Sequence, residues 1–314
     1  MARWHPGALP DLSGKTVVVT GANAGVGYFT CEQLAAAGAH IVMACRSQPR
    51  ADAALAVLRA RVPGASAQAI PFDAADLTSV AAAAQLINGL ARVDALVENA
   101  GMVHPPASRR TDARGNELVL STNFLGHFAL TAQVMPALLR TSASRVVSLG
   151  SLISRLYDFR IGDLQLRAHY TPNRAYAHSK IAVQSFGFEL DRRLRASGAD
   201  VASLVAHPGY SIGGVTQRVP GVNEPSARKR CADALQAPIA QTKRKGAWPV
   251  VRAVADPDAC GGQYYGPRLL TRGAPVLHTP THASVDPEVA TELWEKAEEY
   301  TGIVFGIPGT VPTE

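Results

Sequence analysis

Tyr176 and Lys180 stand four residues apart in Arg174-Ala175-Tyr176-Ala177-His178-Ser179-Lys180, ahead of an apolar run from Ile181 to Leu190. On a helix this spacing sets a phenol and an ammonium on one face. A free tyrosine titrates near pH ~10 and exchanges protons poorly at neutral pH, but a neighbouring cation favours the phenolate. A lowering of about 2–3 units corresponds to about 3–4 kcal/mol and would let Tyr176 donate or accept a proton. The same spacing also arises as a packed ring beside a solvated amine, so the pair needs a site around it.

Two other polar residues could belong to such a site. Asn123 lies among Leu120, Phe124, Leu125 and Phe128; it is either a satisfied core hydrogen-bonder or the holder of a water that relays protons to Lys180. Ser151 follows the strand-like run Ser144 to Leu149 and Gly150. A serine at the carboxyl end of a central strand can hydrogen-bond a substrate carbonyl or alkoxide.

These residues need elements to position them, and the chain supplies an alternation. The run Thr16 to Thr20 reads as a buried strand and leads into Gly21-Ala22-Asn23-Ala24-Gly25-Val26-Gly27, with a helix from Tyr28 to Ala37. Strand, glycine turn and helix form the setting in which backbone approaches a pyrophosphate and free helix amides meet its charge. A second strand, His40 to Cys45, is followed by Arg46 and Arg50, with no acidic residue between Glu32 and Asp52. A guanidinium there suits a ribose 2′-phosphate, so NADP(H) is the favoured cofactor and NAD(H) the alternative; Arg46 could also be an ordinary surface arginine.

The pattern continues with a helix from Asp52 to Val62, a strand from Ala67 to Phe72 before Asp73 and Ala74, and a helix from Leu77 to Leu90. A strand from Val93 to Val97 leads to Glu98-Asn99-Ala100-Gly101, and a long helix is expected from about Gly115 to Arg140. A sixth strand, Val201 to Ala206, ends in His207-Pro208-Gly209. Asp73 could accept from an adenine amino group, and Ala100-Gly101 offers a surface poor in side chains. The alternation predicts an α/β fold: a doubly wound, mostly parallel sheet in one Rossmann-type domain over residues 1–314, with 215–249 as a substrate-side lid.

Taken together, these motifs resemble the short-chain dehydrogenase/reductase family over about Lys15 to Gly209, and within it the branch of retinol-dehydrogenase-like and protochlorophyllide-reductase-like members. The resemblance implies that Tyr176 exchanges the proton of a carbonyl/alcohol couple and that Lys180 lowers its pKa and holds the nicotinamide ribose. It gives Ser151 the substrate oxygen and Asn123 a water relay. Cofactor contacts would come from Gly21, Asn23, Ala24, Gly25, Val26, Gly27, Arg46, Asp73, Ala74, Asn99, Ala100, Gly101, Tyr176, Lys180, Pro208 and Gly209. Four residues depart from the pattern. Glu98 replaces an asparagine and should seek a donor; Gly150 replaces a common serine, and Ser148 a frequent asparagine. Gly213-Gly214 lacks a threonine that anchors the nicotinamide amide, leaving Ser211 or backbone groups.

Composition limits the alternatives. In 314 residues the hydrophobic share of 47% and charged share of 18% are those of a globular protein, and the net charge of +6 is modest. Lys243-Arg244-Lys245 is too short a basic run to suggest nucleic acid. Cys31, Cys45, Cys231 and Cys260 lack metal-ligand spacing. With no signal sequence and no apolar run of about 18 residues, a cytoplasmic protein without a membrane span is expected. The substrate is expected to be small and apolar, because Leu152, Ile153, Leu156, Tyr157 and Tyr210 supply few charges. A homo-oligomer fits the resemblance. The rival readings are a catalytically silent dinucleotide-binding regulator and a reductase of a carbon–carbon double bond.

Overall fold

The computed structural model describes residues 4–307. Its frame is an eight-stranded sheet. In chain order the strands and main helices are β1 (Thr16–Thr20), α1 (Gly25–Ala36), β2 (His40–Cys45), α2 (Gln48–Arg61), β3 (Ala67–Pro71), α3 (Leu77–Asn88) and β4 (Ala95–Glu98). They continue as α4 (Leu118–Leu139), β5 (Ser144–Leu149), α5 (Pro172–Ala196) and β6 (Val201–Ala206). A two-stranded parallel pair, β7 (Ser211–Ile212) and β8 (Gln241–Thr242), brackets α6 (Ala227–Ala234). Then come α7 (Trp248–Ala255), β9 (Tyr264–Pro267), β10 (Pro275–Leu277) and α8 (Pro287–Thr301).

The sheet order is β10-β9-β6-β5-β4-β1-β2-β3, parallel except for the antiparallel edge β10. The order reverses between β1 and β4, and ligands bind such sheets in the crevice beyond the strand ends there. Side chains alternate across the sheet. Val18, Val42, Leu96 and Val146 face a core with Phe124, Phe128, Phe186 and Trp294. Val17, Ile41, Met43, Val97 and Val147 face the other core, with Tyr28, Phe29 and Val250. Strands buried on both faces read as continuous apolar runs, which is why β1 is legible as Val17-Val18-Val19.

Caps fix the helices that matter most. Asp76 accepts from the Thr78 amide at 2.9 Å to start α3, and Thr171 accepts from Arg174 at 3.2 Å to start α5, whose first residue is Pro172. The long helix begins at Leu118 rather than Gly115. Asp112 draws in the amides of Arg114 and Asn116 to form a turn, and the Glu117 carboxylate caps Val119 and Leu120. The fourth strand begins at Ala95 because Asp94 is spent on the Thr16 amide, Lys15 and Arg92. α4 is long and apolar enough to cross a membrane, with a mean hydropathy of 1.2, but 78% of that stretch is buried inside the molecule, as expected of a core helix.

Candidate active site

The cofactor end is built around Thr20. Its hydroxyl accepts from the amides of Asn99 and Ala100, each at 2.9 Å, and lies 2.9 Å from His127 Nε2. His127 Nδ1 is 3.0 Å from the Asn123 carbonyl. A carbonyl only accepts, so Nδ1 carries the proton and Nε2 accepts from Thr20. Burial holds His127 below the usual imidazole range and keeps it neutral. Asn99 Nδ2 donates to the carbonyls of Thr20 and Gly21 at 2.7 and 3.2 Å, stitching β4 to the glycine turn.

The glycines have separate jobs. Gly21 has φ of +64°, and a Cβ there would lie 2.8 Å from the Ala100 backbone; one at Gly27 would lie 2.3 Å from Asn99 Nδ2. Gly25 has φ of +63° and faces open space. Ala24 caps α1 with no side-chain bond, and α1 has no acidic residue in its first turn. Beside the half-buried Asn23, Ala24, Gly25 and Val26, uncapped amides open onto the space left free at Gly25, a cradle suited to a pyrophosphate.

Arg46 directly follows β2, and its side chain is 73% exposed, with its Nε 4.0 Å from the Asp73 carboxylate. Asp73 also accepts from the Ala75 amide at 3.0 Å, and Ala74 is buried. Arg46, Asp73, Ala74, Asn99, Ala100 and Gly101 thus follow three successive strand ends on one side of the sheet.

The chemical end centres on Lys180. Its Nζ is buried, donates to the Leu149 carbonyl at 2.7 Å and lies 6.0 Å from the centre of the Tyr176 ring. Burial pulls its pKa down to about 8, opposed by the Glu98 carboxylate. The expected lowering at Tyr176 is absent in the chain alone: burial pushes the phenol above its ordinary value, and only a hydrogen bond with Ser151 draws it down. Burial dominates, and the Lys180 ammonium is engaged by the Leu149 carbonyl.

Asn123 sits in a π-helical turn, Ser121–Leu125, inside α4, a distortion frequent at functional sites. Its side chain is committed: Oδ1 accepts from Met102 at 2.6 Å, and Nδ2 donates to Ser179 Oγ at 2.8 Å. Ser179 in turn donates to the Tyr176 carbonyl at 2.8 Å. A Cβ on Gly101 would stand 3.1 Å from Asn123 Oδ1 and 3.8 Å from Lys180 Nζ, so Gly101, Asn123 and Lys180 meet.

Ser151 follows β5. Its carbonyl accepts from Gln184 Nε2 at 3.1 Å, and the Gln184 side chain occupies the space a Cβ on Gly150 would enter, 2.8 Å away. That accounts for glycine at position 150. Glu98 finds the donors it requires: Thr131 at 2.5 Å and Ser148 at 2.6 Å. Its exchange for asparagine and that of Ser148 are therefore two halves of one contact.

Pro208 and Gly209 follow β6. Gly209 has φ of +64°, and a Cβ there would lie 2.3 Å from the Thr271 carbonyl. Ser211 donates to the Pro208 carbonyl at 2.7 Å, Gly214 donates to Asp233 at 2.7 Å, and the Gly213 carbonyl accepts from Asn223 at 3.1 Å. The Ser211 hydroxyl is thus used within its own turn.

Sequence reasoning missed Thr20, His127, Ser179 and Gln184 as site residues. Ser179 lies inside the Tyr176 motif, and its helix face was the one available signal; the others act across elements. No cluster of three metal-ligating side chains occurs among the described residues.

Comparison with known proteins gives the family. The model of the short chain dehydrogenase family matches residues 15–219. Mouse polyprenol dehydrogenase is 34% identical over 95% of this chain and 87% of its own length. Mouse retinol dehydrogenase 14 is 31% identical over 96% and 90%. A crystal structure of a protein from Mycobacterium paratuberculosis superposes with a TM-score of 0.77 at 30% identity, covering 97% of this chain and 99% of that one. With the glycine turn, Asn123, Ser151, Tyr176 and Lys180 gathered at the strand ends, the chain belongs to the short-chain dehydrogenase family, in its retinol-dehydrogenase-like branch.

Proposed function

We propose that the protein is an NADP(H)-dependent oxidoreductase that interconverts an alcohol and a ketone or aldehyde on a small apolar molecule. The observation that carries this reading is the meeting of Tyr176, Ser151 and Lys180 beside Gly101 and Asn123, beyond the ends of β4 and β5. The cradle at Gly25 and the exposed Arg46 beyond β2 support a phosphorylated dinucleotide. When bound, a nicotinamide supplies or takes the hydride.

The chain's own residues perform the rest. Tyr176 gives its phenolic proton to the carbonyl oxygen in reduction and takes it back in oxidation. Ser151 donates a hydrogen bond to the same oxygen as charge develops on it. Lys180 would hold the nicotinamide ribose, and with its ammonium turned from the Leu149 carbonyl toward that ribose it would favour the phenolate. Asn123 braces Ser179, and with its side chain committed, a water relay to Lys180 falls to its main-chain carbonyl. Asn23, Ala24, Val26 and Gly27 line the phosphate turn; Asp73 and Ala74 hold the adenine end. In this reading the chain, expected as one dinucleotide-binding domain over 1–314 and described over 4–307, works in the cytoplasm, and residues 215–249 cover the substrate side; 1–3 and 308–314 lie outside the described residues.

Purified protein should oxidise NADPH with medium-chain aldehydes, and Tyr176→Phe should lower kcat by at least ~100-fold while NADPH binding persists. Product analysis separates an alcohol from a saturated carbonyl. Unchanged turnover in Tyr176→Phe would remove that residue from the mechanism, and NADPH binding without turnover of any carbonyl would favour a silent regulator.

A further inference from the structure

The positive charge of the chain is gathered in one place. Residues 226–245 and the β9–β10 hairpin, 264–277, hold eight Lys or Arg against one Asp, a net of +7 where the whole chain carries +6. The remainder is therefore close to neutral, at −1. The single acid, Asp233, is buried and occupied by Lys229 and the Gly214 amide.

The same segments show aliphatic side chains to solvent. Asp233 fixes the inner side of α6, so the opposite side carries Arg228, Cys231 and Leu235 at helical spacing. Leu235 is 86% exposed, and Ile239 just beyond it is 59% exposed. At the tip of the hairpin, Leu269 and Leu270 are 61% and 44% exposed between the exposed Arg268 and Arg272. Leu270 is held at φ of +62°, a left-handed conformation that a branched residue rarely adopts.

The stretch that follows α6 adjoins the hairpin. A cleft of about 450 Å³ is lined by Ala237, Ala240, Trp248, Leu269 and Arg272, and Gly273 donates to Gln241 at 3.1 Å. They also border the strand ends: the Tyr210 amide donates to the Thr271 carbonyl at 2.7 Å, and its hydroxyl bonds Gln236. Tyr210 follows Gly209, at the same sheet end as Ser151.

We propose that α6 and the β9–β10 tip form a docking surface for an anionic lipid bilayer, into which Leu235, Ile239, Leu269 and Leu270 insert while the flanking arginines meet headgroup phosphates. Charge selects this occupant. A second copy of the chain would bring the same excess of Lys and Arg against itself, even with Arg244 paired to Glu32. A nucleic acid would satisfy the arginines and leave four aliphatic side chains in water, whereas it is rings that stack on bases. A bilayer satisfies both, through apolar insertion and attraction to anionic lipid. Docking there turns the end of the sheet that bears Ser151 and Tyr176 toward the membrane, where an apolar alcohol or aldehyde partitions. The inference rests on the apolar-substrate reading.

The test is co-sedimentation of the full chain with vesicles of phosphatidylcholine and phosphatidylglycerol in equal parts, against phosphatidylcholine alone and against tRNA. The wild type should pellet with the mixed vesicles only, and the Arg228→Glu/Arg230→Glu and Leu235→Ser/Leu269→Ser proteins should each lose at least about tenfold in partitioning. All should keep the wild type's circular dichroism and thermal melting midpoint and its NADPH binding, which report that they fold. The proposal is overturned by a wild type that stays in the supernatant, by binding indifferent to the leucine changes, or by tRNA binding that the arginine changes alone abolish. Turnover of a detergent-dispersed long-chain aldehyde without vesicle binding would overturn docking and leave the apolar-substrate reading standing.

Discussion

The Glu98 carboxylate receives the Ser148 hydroxyl at 2.6 Å across the β4–β5 pair, where the two residues are register partners. Both side chains are buried, and Thr131 supplies the second donor from α4. Removing one hydroxyl leaves a buried carboxylate short of a partner. Ser148→Ala should lower unfolding stability by about 1–3 kcal/mol, and a cycle with Glu98→Gln should show coupling rather than additivity. Glu98→Gln should also lower the Lys180 pKa further, because the carboxylate favours the ammonium. Titration of labelled lysine by NMR measures that directly.

Among the described residues the carboxylate paired with Arg46 is that of Asp73, at the long distance of 4.0 Å. A charge-assisted contact with a 2′-phosphate is worth about 1.5–3 kcal/mol. Arg46→Asp should raise the KM for NADPH by about 10–100-fold and improve use of NADH. Steady-state kinetics with both cofactors decides this, and equal KM values for NADPH in the two proteins would remove Arg46 from the site.

Lys180 makes folding stability depend on alkaline pH. Its pKa falls from the ordinary 10.5 to about 8 on burial. Below pH 8 both native and unfolded chains carry the ammonium, and the native chain bears the full cost of burying it. Between pH 8 and 10.5 the unfolded chain binds more protons, so stability rises with pH. Lys180→Met should therefore be inactive yet more stable at pH 7, by about 1–3 kcal/mol, with the advantage shrinking toward pH 10. Denaturant melts across that range measure it.

Gln184 and Gly150 compete for one space. A Cβ on Gly150 would come within 2.8 Å of the Gln184 side chain, whose Nε2 holds the Ser151 carbonyl and the Ser154 hydroxyl. Gly150→Ser should lower kcat by displacing Ser151, by about tenfold, with the KM for NADPH little changed. Adding Gln184→Ala should restore part of that loss. A loss in the double variant as large as the product of the single losses would show that the two do not share the space.

The strands of the sheet's centre were legible because burial on both faces leaves a continuous apolar code: Val17-Val18-Val19 and Val146-Val147 read as strands without help. The positions of Gly21, Asn99 and Ser151 were legible because each follows a strand end, and the pairing of Tyr176 with Lys180 because four residues separate them on one helix. β9 and β10 were missed, since Tyr264-Tyr265-Gly266-Pro267 and Pro275-Val276-Leu277 carry glycine or proline that reads as loop. The Thr20–His127–Asn123 connection was missed because it joins residues 107 positions apart, and one sequence holds no record of such pairs. The lowered Tyr176 pKa failed for a different reason: spacing places an ammonium near a phenol but does not say which acceptor it will choose, and the Leu149 carbonyl takes it.

One contact ties the two ends of the cleft into a single mechanical piece. Gly126 follows the π turn of Asn123, and a methyl there would stand 2.0 Å from the Ala74 carbonyl, so the helix lies directly against the loop of Asp73. Neither can shift without carrying the other. An altered side chain at position 126 would thus disturb grip at the far end of the dinucleotide and proton exchange at the near end by one displacement, so that affinity and turnover would fail together.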